Sequence, residues 1–288
     1  MATLREIRTR ISSIKSTQQI TKAMKMVAAA KFRKAQEKIL ATRPYARKLQ
    51  EIVGHLMSRI ENDNHPLLKV RPVEKVMLLV VTADRGLCGA FNANIIRHVE
   101  TVIASYKDKE VSLFLVGKKG YEYFSKRNYT IKDHVVDIFN HLSFLNATTT
   151  VEKLVQAYID KEFDQIEIIY NAFKSALRQE ITIEQFLPFK PNEEMKQSAS
   201  QVDYLYEPQK ERILDVILPR QLNVQLWKVL LESNAAEQGA RMTAMEAATD
   251  NADDIIDELT LHYNRARQAA ITKEISEIVG GAEALKEK

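Results

Sequence analysis

The chain begins and ends in helix-forming sequence that almost nothing interrupts. No glycine precedes Gly54 and no proline precedes Pro44; from Arg220 to Val279 there is one glycine, Gly239, and no proline. In the first stretch Leu4, Ile7, Ile11, Ile14, Gln18, Thr21, Lys25, Ala28, Phe32, Ala35 and Ile39 recur at steps of three and four, with Ile20, Met24 and Val27 on an adjacent line. In the last stretch Leu222, Leu226, Val229, Ser233, Ala236, Ala240, Thr243 and Ala247 do the same. The series then slips by one residue to Ala248, Ala252, Ile255, Leu259, His262, Ala266 and Ala269. That period draws one stripe along each helix. Thr3, with Glu6 three residues on, predicts a capping box at the start, and Gly280-Gly281 predicts a stop at the end. Pro44 predicts a kink or an offset.

At 1.5 Å per residue each helix would be on the order of 80–90 Å long, far beyond the usual three turns. Stripes of that length need each other or a partner to be buried. A chain that leaves by one helix and returns by another forms an antiparallel pair. The second stripe is rich in Ala, Ser and Thr, so the helices approach closely but bury little area per turn, and a third surface is expected to cover part of them.

Charge supports the pairing. Residues 1–48 carry thirteen Lys/Arg against two Glu; residues 241–288 carry six Lys/Arg against ten acids. Glu246, Asp250, Asp253, Asp254 and Asp257 are therefore expected near Arg8, Arg10 and Lys15, tuning register at tenths of a kcal/mol to about 1 kcal/mol per exposed pair. The total charge of +4 gives no global argument for nucleic acid. The basic run Lys22, Lys25, Lys31, Arg33 and Lys34 has only Phe32 among it, where nucleic-acid readers add aromatics or a recognised module. An acidic protein surface explains it equally well.

Between the helices the period changes. "KVMLLVVTAD", "VSLFLVG", "YTIKDHVVD", "QIEIIYNAF" and "ITIEQFLPF" read as strands, separated by helix-like "NANIIRHVETVIASY", "KKGYEYFSKR" and "TTTVEKLVQAYIDKE". Strands alternating with helices argue for an open, largely parallel α/β sheet. Residues 190–201 are polar and unpatterned and read as an exposed loop, with "DYLYEP" as a short further strand.

Chemical motifs are sparse. "TADRGLCGAFN", residues 82–92, sits where a phosphate loop would sit, yet it fits neither phosphate-binding glycine pattern. It reads as a tight turn in which Gly86 and Gly89 relieve crowding. Cys88 is the one cysteine, so no internal disulfide forms, and without a third partner beside Cys88 and His98 a buried inert thiol is favoured over a nucleophile. The histidines at 55, 65, 98, 134, 141 and 262 have no metal-ligand spacing, and the acids of 246–258 match no calcium loop. No apolar run of about 18 residues is present to span a membrane.

Three stretches carry a family resemblance: "IRTRISSIKSTQQITKAMKMVAAAKFRKAQ", "DRGLCGAFN" and "ARMTAMEAATDNADDIIDELTLHYNRARQAAITKEISEIVGG". Over essentially its whole length the chain resembles the gamma subunit of F-type ATP synthases. The resemblance implies an α/β fold with a long coiled coil: an antiparallel pair of terminal helices flanking a Rossmann-like open α/β domain. The segments are a long helix at 1–59, the Rossmann-like domain at 74–189, an exposed loop and short strand at 190–207, and a second long helix at 208–288.

It implies a central-stalk rotor that is itself non-catalytic and holds no cofactor. The partners are three alpha and three beta subunits, the epsilon subunit and the c ring. Membrane association runs only through the complex, at the cytoplasmic face of a bacterial membrane in preference to a mitochondrial inner membrane. By motif, Met24 and Lys25 resemble positions that face acidic beta-subunit loops, and Arg241, Gln268 and Thr272 resemble positions that latch to the catalytic subunits. The match from Leu4 onward sets aside a transit peptide, to which the Arg- and Ser-bearing start otherwise conforms. Residues 190–201 lack the cysteine pair of chloroplast members. The alternative reading is a nucleotide-binding α/β enzyme with a coiled-coil dimerisation arm.

Overall fold

The computed structural model describes residues 3–58, 65–175, 178–190 and 210–286. The expected loop at 190–201, apart from Lys190, and the strand "DYLYEP" lie outside them. The elements run α1 (Leu4–Ser58), β1 (Lys75–Val81), α2 (Phe91–Ser105), β2 (Glu110–Val116), α3 (Lys118–Phe124), β3 (Thr130–Val135), α4 (Phe144–Ile159), β4 (Gln165–Phe173), β5 (Gln179–Leu187) and α5 (Lys210–Lys286). They fall into two compact units, Met1–Val27 with Met242–Lys288, and Ala28–Arg241.

In the first unit α1 opens on the expected capping box. Thr3 accepts from the Glu6 amide through Oγ1 at 3.3 Å, and its own amide donates to Glu6 Oε2 at 2.8 Å. From Leu4 to Lys25 every position of the 3-4 series is buried or half-buried, while Ile20 and Val27 on the adjacent line are exposed. On α5 the slip comes earlier than the sequence suggests. Ala247 and His262 are exposed, and Met245, Ala252, Ile255, Leu259, Tyr263 and Ala266 take the inner positions. The expected stop at Gly280-Gly281 does not occur; α5 continues through both glycines to Lys286. A glycine ends a helix by turning left-handed, and neither does so here. Each then costs only about 1 kcal/mol against alanine, which the helix-forming neighbours absorb.

The second unit is a five-stranded sheet of order β3-β2-β1-β4-β5, parallel except for β5, which pairs antiparallel to β4. From Val76 to Val81 the β1 run is apolar because both its faces are covered. Val76, Leu78 and Val80 pack with Ile95 and Val99 of α2 and Phe124 of α3. Met77, Leu79 and Val81 join the opposite core, with Leu154 of α4, Val53 and Leu56 of α1, and Leu218, Leu222 and Leu226 of α5. Helices on both faces and a reversal of strand order at β1 make this a doubly wound fold. The turn after β2 requires its glycine: a Cβ on Gly117, at φ +96°, would lie 2.1 Å from the Thr82 carbonyl oxygen. Pro44 and Pro219 lie inside α1 and α5, which continue through them.

Candidate functional site

Two features of the molecule are candidates for function, one in each unit. In the first unit α1 and α5 meet through Ile, Leu, Met and Tyr side chains with small and polar ones set among them. Gln18 donates to Asp253, the hydroxyls of Thr21 and Thr249 lie 2.8 Å apart, and Lys25 Nζ reaches Glu246 Oε1 at 2.6 Å. Each advance of three or four residues on one helix matches a retreat of three or four on the other, which is an antiparallel register. Thr21 is buried at this crossing, and Ala252 is the small residue that lets the backbones close. The expected pairing of Arg8, Arg10 and Lys15 with the acids is not found; among the described residues none of the three makes an ion pair, and Lys25–Glu246 is the pair that crosses the seam. The register runs the acids past residues 14–25 and leaves Arg8 and Arg10 beyond them.

In the second unit the loop after β1 is built around Asp84. Its buried carboxylate accepts the backbone amides of Lys118 at 3.0 Å, Asp137 at 2.8 Å and Phe139 at 3.2 Å, and so joins the ends of three parallel strands. Thr82 Oγ1 accepts the Gly120 amide at 2.9 Å beside it. Of the two loop glycines expected to relieve crowding, only Gly89 (φ +59°) is left-handed; a Cβ on Gly86 would meet nothing within 4 Å, and the second left-handed residue is Leu87 at φ +62°.

This loop docks on α5. Ala83, Cys88 and Phe91 pack against Ala236, with Phe173 and Ala240 at the edge and Phe32 edge-on to Phe173 at 5.4 Å. The Arg241 guanidinium donates to the Gly86 carbonyl and pairs with Glu237 one turn earlier. Burial pushes the Glu237 carboxyl up, against the pull of Arg241. Burial also pushes the Cys88 thiol up; its sulfur accepts from Asn92 Nδ2 at 3.3 Å, so it stays a protonated, inert packing group. Doubly wound folds bind nucleotides at the carboxyl ends of the strands, where strand order reverses. Here helix and aromatic side chains fill that place. Among the described residues no group of three His, Cys, Asp or Glu is arranged to hold a metal ion, and no helix is long and apolar enough to cross a membrane.

Of the five residues singled out by sequence, four lie in the first unit and Arg241 in the second. Met24 and Lys25 are half-buried on α1, and Arg241 is tied within its own chain. Gln268 and Thr272 are exposed, one turn apart on α5, close to the exposed apolar residues Ile271, Ile275, Ile278 and Val279. Sequence reasoning missed Asp84 and Glu237. The second had a signal, an acid four residues before an arginine on a helix.

The ATP synthase family profile matches residues 3–285. The ATP synthase gamma chain of Chloroherpeton thalassium is 50% identical over 302 aligned positions, covering 100% of this chain and 99% of the relative. That of Chlorobium phaeobacteroides is 49% identical over 292 positions, covering 99% and 100%. The fold is similar to a chain of the Tetrahymena thermophila mitochondrial ATP synthase central stalk and c-ring structure, at TM-score 0.62 and 26% identity over 80% of this chain and 99% of that one. A chain of the Euglena gracilis mitochondrial ATP synthase shares the fold at TM-score 0.69 and 23% identity, covering 98% and 94%.

Proposed function

The chain belongs to the ATP synthase gamma chain family, and from that premise we propose that it is the central-stalk rotor of an F-type ATP synthase, passing torque between a proton-driven c ring and an alpha/beta hexamer. The observation that carries this reading is the register Gln18–Asp253, Thr21–Thr249 and Lys25–Glu246. Three contacts repeated along one seam resist sliding and splaying, so twist applied to one helix reaches the other. Thr21, Thr249 and Ala252 let the helices approach closely along part of the seam, which suits a shaft enclosed by other subunits.

The chain itself performs no bond chemistry in this account, and it is peripheral, reaching the cytoplasmic face of the membrane through the c ring and epsilon. Met24, Lys25, Arg241, Gln268 and Thr272 are the proposed contacts with the alpha and beta subunits. Gln268 and Thr272 are exposed and make theirs directly. Lys25 and Arg241 already hold Glu246 and Gly86, so they must share or exchange those partners as the shaft turns.

The test is co-purification of the chain with alpha and beta subunits, then ATP hydrolysis and proton pumping by vesicles containing the complex with and without it. Pumping that requires the chain, with the nucleotide sites on the other subunits, is the expected result. Saturable nucleotide binding by the isolated chain in calorimetry would count instead for an enzyme.

A further inference from the structure

We propose that the groove between α2 and α3 is a docking site for an acidic segment of a partner subunit. The stalk reading enters only in placing that partner inside the assembled complex. The groove is open and has a volume of about 650 Å³. Ile96 and the Tyr123 ring form its apolar floor, and Arg97, Lys119, Lys126 and Arg127 stand around it.

The charge on this surface is not balanced. Glu122 is held by Lys119 at 2.6 Å, and that contact first, with Lys118 and Lys126 nearby, keeps its carboxyl below the usual range. Glu100 accepts the hydroxyls of Tyr123 at 2.9 Å and Tyr129 at 3.3 Å. Both carboxylates therefore have their partners. Arg97, Lys118 and Lys126 are exposed and make no ion pair among the described residues. Four cations and two carboxylates line the groove, a surplus of two positive charges, and Lys118 lies nearby.

One side of the groove is held in place. The Arg127 guanidinium lies 3.5 Å from the Tyr123 ring centroid and donates to the Tyr123 carbonyl at 2.8 Å, while Glu100 fixes the other end of the same ring. The pre-set Arg127 loses little side-chain entropy when it binds. The shape selects the occupant. A bilayer surface is flat and cannot enter a concave groove, whereas an extended or helical segment bearing Asp or Glu can lay its apolar side on Ile96 and its carboxylates on the rim.

The experiment is zero-length carbodiimide cross-linking of the purified complex, read by peptide mass spectrometry, with lysine acetylation rates measured in the complex and in the free chain. The expected result is an amide from Lys118 or Lys126 to an Asp or Glu of another subunit, with acetylation of both lysines slowed at least about fivefold on assembly. Arg97→Glu with Lys126→Glu should lower the Lys118 cross-link by about tenfold, while Lys174→Glu, on another surface, leaves it unchanged. Equal acetylation rates in the two states with no cross-link to another subunit overturn the proposal. So does protection of the free chain by phosphatidylglycerol vesicles without such a cross-link, which assigns the surface to lipid. A chain that co-purifies with no partner overturns both this proposal and the stalk reading; a complex that assembles without the cross-link overturns this one alone.

Discussion

Arg241 on α5 hydrogen-bonds the backbone carbonyl of Gly86, 155 residues earlier in the chain. The same guanidinium holds the buried Glu237 carboxylate, so one side chain fastens the loop after β1 to the helix and neutralises the acid beneath it. Removing it leaves a buried, uncompensated carboxylate.

Arg241→Ala is therefore expected to destabilise the α/β unit by about 3–5 kcal/mol, the range for breaking one side of a buried ion pair. Adding Glu237→Gln should recover more than half of that. Urea unfolding followed by Trp227 fluorescence, the single tryptophan and part of the same unit, measures both. Equal losses for the single and double variants would contradict the buried-charge explanation.

Gly117→Ala is expected to prevent correct folding of the sheet, because the added Cβ meets the Thr82 carbonyl at 2.1 Å and the backbone is at φ +96°. Gly86→Ala, with open space around it, should change stability by less than about 1 kcal/mol. Thermal melts of the two variants make the comparison, and similar melting for both would show that the close approach of Gly117 to Thr82 is not what that glycine serves.

Glu232 is half-buried on α5. Burial raises its carboxyl above the ordinary range, outweighing Lys228 at 3.8 Å, and nearby Glu184 adds to the rise. Glu184 in turn accepts the Tyr170 hydroxyl at 2.6 Å. A raised folded-state acid means that the folded chain binds more protons than the unfolded chain between the ordinary and the raised value. Stability therefore falls as pH climbs through that window and stays lowered above it. Glu232→Gln should flatten this slope and give a larger gain in melting temperature at about pH 8 than at about pH 4. An identical gain at both would show that Glu232 does not titrate differently in the folded state.

The shaft was more legible than the loop. Spacing alone drew the seam from Leu4 to Ile39, and all eleven of its positions are buried or half-buried. The Thr3–Glu6 box and the alternation of strands and helices in an open, largely parallel sheet follow equally local signals. Register did not. Charge totals pointed the acids at Arg8 and Arg10, but register depends on which small residues face each other, here Thr21 and Thr249. In the sequence Asp84 reads only as part of a turn, because its three donors lie 34, 53 and 55 residues away and no local pattern records them. Gly280 and Gly281 misled because composition does not reveal whether a glycine turns left-handed.

The most direct test of the account is to lock the two helices together. Thr21→Cys with Thr249→Cys, in a Cys88→Ala background, places two thiols where hydroxyls now lie 2.8 Å apart, and oxidation joins α1 to α5. If the helices turn as one rigid body, ATP-driven proton pumping by the oxidised complex equals that of the reduced one. Loss of pumping on oxidation, restored by a reductant, would mean that the helices must move against each other, and the rigid-shaft account would be wrong.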